Sequence, residues 1–135
     1  MNTKKGDILV CLWREPEGDF DQMKIGRINS QRTLNHERRT YVPIDEFVFC
    51  DKINNEWVVA DNNIYTKNIY YDQIECAQKD HDGSLSIHIL IPVEEGIKIW
   101  DDLKTYLSTN RLDLINELIK SLIVGIFDED GRCVL

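Results

Sequence analysis

"LSIHILIPVEEGIKIWDDLKTYL", residues Leu85 to Leu107, changes its period in the middle. Up to Ile91 the apolar residues alternate: Leu85, Ile87, Ile89 and Ile91 fall on one side of an extended chain, Ser86 and His88 on the other. Beyond Pro92, Ile99, Trp100, Leu103, Tyr106 and Leu107 recur at spacings of three and four, the stripe of an amphipathic helix. A second stripe follows in Leu112, Ile115, Leu118, Ile119, Leu122 and Ile123, with Asn110 and Asp113 spaced as a helix cap. Strand first, then two adjacent helices, predicts an α+β fold.

Before the quoted stretch, Asp82-Gly83 marks a turn. A two-residue turn there sets Ile74 opposite Ile91, Cys76 opposite Ile89 and Gln78 opposite Ile87, with His88 opposite Ala77 on the other face. Asp80, His81, Asp82 and His88 then do not converge, and a metal ion needs three or four ligands around one point. The segment reads as a corner, with no metal site.

Further toward the N-terminus the chain reads as hairpins. "ILVCLW" (Ile8 to Trp13) is apolar on both faces, as a central strand is. It leads through the acidic loop "REPEGDFDQ" into the alternating "MKIGRIN". "TYVPIDEFVFC" alternates again, and Pro43 confines that part to a sheet edge or a bulge. An Asn54-Asn55 turn then pairs Cys50 with Val59 and Phe49 with Ala60. Asp130-Gly131 between apolar runs predicts a C-terminal hairpin, too close to the end of the sequence for a calcium loop. The expected architecture is a curved antiparallel sheet or small open barrel of hairpins, two adjacent helices and a C-terminal hairpin, in a single domain over residues 1–135.

The formal net charge is −8, and it is unevenly placed. Residues 1–39 carry eight basic and six acidic side chains; residues 40–135 carry eight and eighteen. Such a field repels phosphate backbones and argues against nucleic acid as a partner. The basic exception, "RINSQRTLNHERRTY" with Arg27, Arg32, His36, Arg38, Arg39 and Tyr41, reads as a loop of mixed charge, with contact to RNA as the alternative. Cys11, Cys50, Cys76 and Cys133 stand far apart and read as reduced, buried thiols. The apolar run after "MNTKKGD" is too short for a signal core or a membrane span, and Cys133 is third from the end where a prenylation box needs the fourth. A cytoplasmic protein without lipid anchor is expected.

Phosphate-loop, dinucleotide, zinc-protease and serine-hydrolase motifs are missing from the sequence. The nearest thiol and imidazole in the hairpin register, Cys76 and His88, fall on opposite faces. Neither an enzyme nor a cofactor is indicated.

The opening "KKGDILVCLWREPEGDFDQMKIGRI" resembles the start of several small bacterial β-barrel proteins, through Lys5, Gly6, Asp7, Ile8 and Gly26. It is similar to immunity proteins of polymorphic toxin systems and to toxin ribonucleases of the MazF and PemK type. The ribonucleases bring Arg-Pro into the second strand, where this chain has Ile25-Gly26-Arg27-Ile28. The immunity resemblance implies a non-catalytic inhibitor that binds a basic toxin. Its expected contacts are Glu15, Glu17, Asp19, Phe20 and Asp21 on the first loop, and Glu94, Glu95, Trp100, Asp101 and Asp102 on the first helix. A ribonuclease acting through Arg27, Arg38 or His36, and a small-molecule binder with its ligand inside the sheet, are the alternatives.

Overall fold

The structure, a computed structural model, describes residues 4–28, 34–36, 39–66, 69–72, 77–79 and 83–124. Its centre is β1 (Ile8–Arg14), flanked by β2 (Gln22–Ile28) and by β8 (Leu85–Ile91), both antiparallel. β4 (Arg39–Ile53) lies outside β2 and β7 (Ala77–Lys79) outside β8. The far edge of β4 carries β6 (Ile69–Asp72) along one half and β5 (Glu56–Val59) along the other, with a Phe47–Tyr65 bridge between them. A short strand, β3 (Leu34–His36), pairs with the start of β4. The result is an open antiparallel sheet carrying two helices, α1 (Val93–Ser108) and α2 (Leu112–Leu122).

Local chemistry explains most of these elements. Asn54 and Asn55 both take positive φ, at 52° and 63°, so the β4–β5 turn closes with Cys50 opposite Val59 as the dipeptide requires. The ladder stops there, because Ala60 starts a 3₁₀ turn. The β2–β4 register slips between Arg27 and Ile28, two residues from Pro43. That bulge at Asp45 carries Ile44 to the face it shares with Ile28, where it lies over Gly26: a Cβ on Gly26 would come within 2.5 Å of Ile44 Cγ2.

Each face of the sheet has its own apolar cluster. Ile8, Val10, Leu12, Met23, Ile25, Val48, Cys50 and Ile87 pack against the helix residues Trp100, Leu103, Leu107, Ile115 and Ile119. On the opposite face Leu9, Ile28, Ile44 and Phe47 gather with Tyr65 and Leu90. In α1 the buried positions Gly96, Trp100, Leu103 and Leu107 follow the helical period. Gly96 is where α1 meets the sheet, since a Cβ there would stand 2.7 Å from Ile8 Cγ1.

Polar groups fix the helices to that face. Pro92 at the N-cap offers α1 no side-chain cap. Asp7, 4% exposed, supplies one from a distance: its Oδ1 accepts from the Val93 N–H at 2.9 Å and its Oδ2 from the Lys4 N–H at 2.7 Å. Gly6 allows the approach, with φ at 95° and room only for hydrogen beside Val93. Trp100 Nε1 donates to Glu46 Oε2 at 2.9 Å, and Arg27 reaches the other carboxylate oxygen at 2.8 Å. In α2, buried Asn116 accepts the Trp57 N–H at 2.7 Å.

Four expectations need correction or limits. β7 pairs with β8 one residue away from the expected register, Ala77 rather than Gln78 facing Ile87, so the loop before β8 is longer than a two-residue turn; Gly83 there has φ of 88°. Asn110 does not cap α2. It ends α1 in the left-handed region at φ 56°, where its N–H donates to Leu107 O and that of Arg111 to Tyr106 O, while Asp113 pairs with the Arg111 side chain. The basic segment contains strand β3 rather than loop alone. The C-terminal hairpin, Ile74, Cys76, Asp80, His81, Asp82, Arg32, Arg38 and Cys133 lie outside the described residues.

Replacing Asp7 by alanine removes the acceptor of two N–H groups in a buried place, and we expect a loss of about 2–3 kcal/mol. Asp7→Asn, which keeps an oxygen for Val93, should lose about half as much. Urea unfolding monitored by circular dichroism measures both; a loss under about 0.5 kcal/mol for the alanine variant contradicts the capping role.

Candidate functional site

Strand alternation places two rows of side chains on the face away from the helices. One row runs His88, Cys11, Lys24, Phe49 across β8, β1, β2 and β4; the next runs Ser86, Trp13, Gln22, Asp51. Together they line an open pocket of about 650 Å³. Met23 and Cys50 complete its lining, although their side chains belong to the helix-side core. Because four consecutive neighbours of one regular sheet supply these groups, the pocket is part of the fold rather than of a loop.

Lys24 stands in the middle of the first row. Its Nζ lies 4.7 Å from the centroid of the Phe49 ring and 5.3 Å from that of Phe47. Phe47, Phe49 and Tyr65 contact one another at 5.3–5.5 Å, so the wall beside the ammonium is aromatic. Burial lowers the Lys24 pKa, partly offset by the neighbouring Cys11.

Cys11 faces His88 directly across the β1–β8 ladder, where side chains approach within about 5 Å between Cβ atoms. This is the thiol–imidazole neighbourhood that the hairpin register could not supply, because β1 and β8 are distant in sequence. Its chemistry is quiet. Burial pushes the Cys11 thiol up to about 11, with Lys24 pulling weakly the other way, and the Cys50 thiol in the core up to about 12. Both are free thiols. Among the described residues no three His, Cys, Asp or Glu side chains are grouped to hold a metal ion.

The expected partner residues fall into separate places. Glu15, Glu17, Asp19 and Asp21 are exposed on the β1–β2 loop, where Asp21 O accepts from the Lys52 N–H at 2.8 Å. That bond ties the loop to the β4–β5 hairpin, which carries Asp51 and exposed Glu56. Glu94, Glu95 and Asp101 are exposed on α1, and Asp102 approaches Lys98 at 3.9 Å. Since α1 starts beside Asp7, before β1, and the loop starts after Arg14, Glu94 and Glu95 in the first turn of α1 lie at the end of β1 opposite the loop acids, roughly 20 Å away for seven residues. Phe20 and Trp100 are not surface anchors: they are 9% and 3% exposed, both part of the helix-side core.

No family model, curated protein or solved structure matches the chain. Among the described residues, no helix is long and apolar enough to cross a membrane.

The thiols give a pH dependence with a definite sign. The folded chain keeps the Cys11 and Cys50 protons to higher pH than an unfolded chain, whose thiols release them near 9.0. Their effect on stability is therefore absent below about pH 9 and becomes destabilising as pH rises toward 11. At pH 8 the Cys11 peptide, followed by mass spectrometry, should be alkylated by iodoacetamide about 100-fold more slowly in the folded than in the urea-unfolded chain. Equal rates would contradict a Cys11 thiol held neutral by burial.

Proposed function

We propose that this chain is a non-catalytic bacterial immunity or inhibitor protein, working in the cytoplasm, that binds and neutralises a basic toxin or effector through the acidic end of its sheet. The observation that carries the reading is the fixed meeting of the exposed β1–β2 loop acids with the β4–β5 hairpin, made by the Lys52–Asp21 backbone bond. Four carboxylates on one anchored loop, beside Asp51 and Glu56, give a directional negative field at small ordering cost. The nearby cations Arg14 and Lys52 stand over the rings of Phe20 and Trp57, 5.7 Å and 5.8 Å from their centroids.

The helix acids are the weaker candidates for contact. Glu94 and Glu95 sit in the first turn of α1, where they favour the helix itself, and Asp102 has Lys98 beside it. Inhibition by occlusion needs no catalytic group, which agrees with a thiol held neutral beside His88. A ribonuclease is less well supported: Arg27 is engaged by Glu46 on the helix side of the sheet. Nucleic acid and membrane are not the partners this field suits.

Co-expression with the product of the adjacent gene tests the reading. We expect protection from that product, binding that weakens as salt rises, and at least about 100-fold weaker binding when Glu15, Glu17, Asp19 and Asp21 are all changed to lysine. Reversing Glu94, Glu95 and Asp101 should change affinity less than about fivefold. Lack of protection, or binding indifferent to the loop charges, overturns the proposal.

A further inference from the structure

The polar groups of the pocket opposite the helices divide between its two rows. In the first row Lys24 is held over the Phe47 and Phe49 rings, 5.3 Å and 4.7 Å from their centroids, and both Lys24 and His88 have further interactions within the chain. In the second row Ser86, Gln22 and Asp51 make no side-chain hydrogen bond or ion pair among the described residues. Gln22 and Asp51 face each other directly across the β2–β4 ladder, so a carboxamide and a carboxylate stand side by side, about 5 Å apart at their Cβ atoms. Trp13 is the neighbour of Gln22 on the β1 side, and Phe49, 40% exposed, lies two residues from Asp51 on the same face of β4. Flat rings thus flank a short hydrogen-bonding edge.

We propose that this pocket binds an uncharged, flat heterocycle of the guanine type, as the free base or its nucleoside, with its ring against Trp13 and its polar edge on Gln22 and Asp51. The volume of about 650 Å³ is that of a small-molecule site. Besides His88, the lining carries one basic and one acidic side chain, so a net charge on the ligand gains at one and loses at the other. A purely apolar ligand would cover Gln22, Ser86 and Asp51 without replacing the water they lose. An uncharged ring with a polar edge meets neither cost. A carboxylate only accepts, and its two oxygens suit two adjacent N–H donors. Guanine presents that pair, a ring N–H beside an amino group, and next to them a carbonyl to which the Gln22 amide can donate. Adenine and cytosine put an acceptor nitrogen beside the amino group, and uracil sets its ring N–H between two carbonyls, so each turns a lone pair toward Asp51. A phosphate would meet the loop acids, since Asp21 immediately precedes Gln22 and Glu15, Glu17 and Asp19 are exposed on the same loop.

Calorimetry on the full chain with a matched set of probes tests the proposal. We expect guanosine to bind saturably, one per chain, and at least about tenfold more tightly than adenosine or than inosine, which lacks only the amino group. At low salt guanosine monophosphate should bind at least about threefold more weakly than guanosine, and the gap should close when Glu15, Glu17, Asp19 and Asp21 are changed to lysine. Asp51→Asn should weaken guanosine at least about tenfold and remove most of its advantage over inosine, whereas Trp13→Ala should weaken the three nucleosides alike. Each variant is first shown to keep the wild-type far-ultraviolet circular dichroism and a cooperative melt; the nucleoside comparisons on the wild-type chain decide the proposal even where a variant fails to fold. Non-saturable guanosine binding, equal affinity for guanosine and inosine, tighter binding of the monophosphate than of the nucleoside, or a guanosine affinity unchanged in folded Asp51→Asn overturns the proposal. The loop-acid variants that test toxin binding leave Gln22 and Asp51 in place, so the two readings fail separately.

Discussion

A single carboxylate joins the parts of this molecule that sequence keeps apart. Asp7 accepts from Val93, 86 residues away, and from Lys4 in its own turn. Its backbone carbonyl accepts from the Ile28 N–H, while the Gly6 N–H donates to Ile28 O. The start of β1, the end of β2 and the first turn of α1 therefore meet at one residue. The charge is satisfied by N–H donors and by the positive end of the helix, so its burial stabilises the junction. Around it the fit is close enough that Gly6 and Gly96 admit no Cβ without moving Val93 or Ile8.

That junction decides which face of the sheet is used for what. With α1 held at Asp7 and Glu46, and α2 at Trp57, both helices cover the same side. The other side has no helix among the described residues, and its strands keep an aromatic, lysine-centred pocket. The acids of the β1–β2 loop lie at the end of β1 remote from the junction. The helices thus take one face of the sheet and the pocket the other, and the acidic loop stands at the end where Asp51 belongs to both the pocket and the β4–β5 hairpin.

The sequence made local structure legible and distant pairing hard to see. Alternation, turn dipeptides and the change of period at Pro92 were enough for the β4–β5 register, for the β1–β2 hairpin and for both helices, because each depends on neighbours in the chain. β1 was readable as central because Leu9, Cys11 and Trp13 are as apolar as Ile8, Val10 and Leu12. That second apolar row was also the only trace of the pocket. Placing His88 beside Cys11 needed the β1–β8 pairing, which no hairpin register contains. Asn110 misled because asparagine suits a helix start and a left-handed helix end alike. Phe20 and Trp100 misled because acids surround them in sequence while their rings turn into the core. Asp7 looked like part of an N-terminal signature, and only the fold reveals it as the cap of α1.

Native-state hydrogen exchange at the Val93 amide tests the central role of that cap most directly. If the Asp7 junction holds the helix layer to the sheet, Val93 exchanges only with global unfolding, at the same opening free energy as the Val10 amide in β1, and Asp7→Ala lowers both together. A Val93 amide that exchanges by local fraying in the wild-type chain, orders of magnitude faster than Val10, would contradict the account.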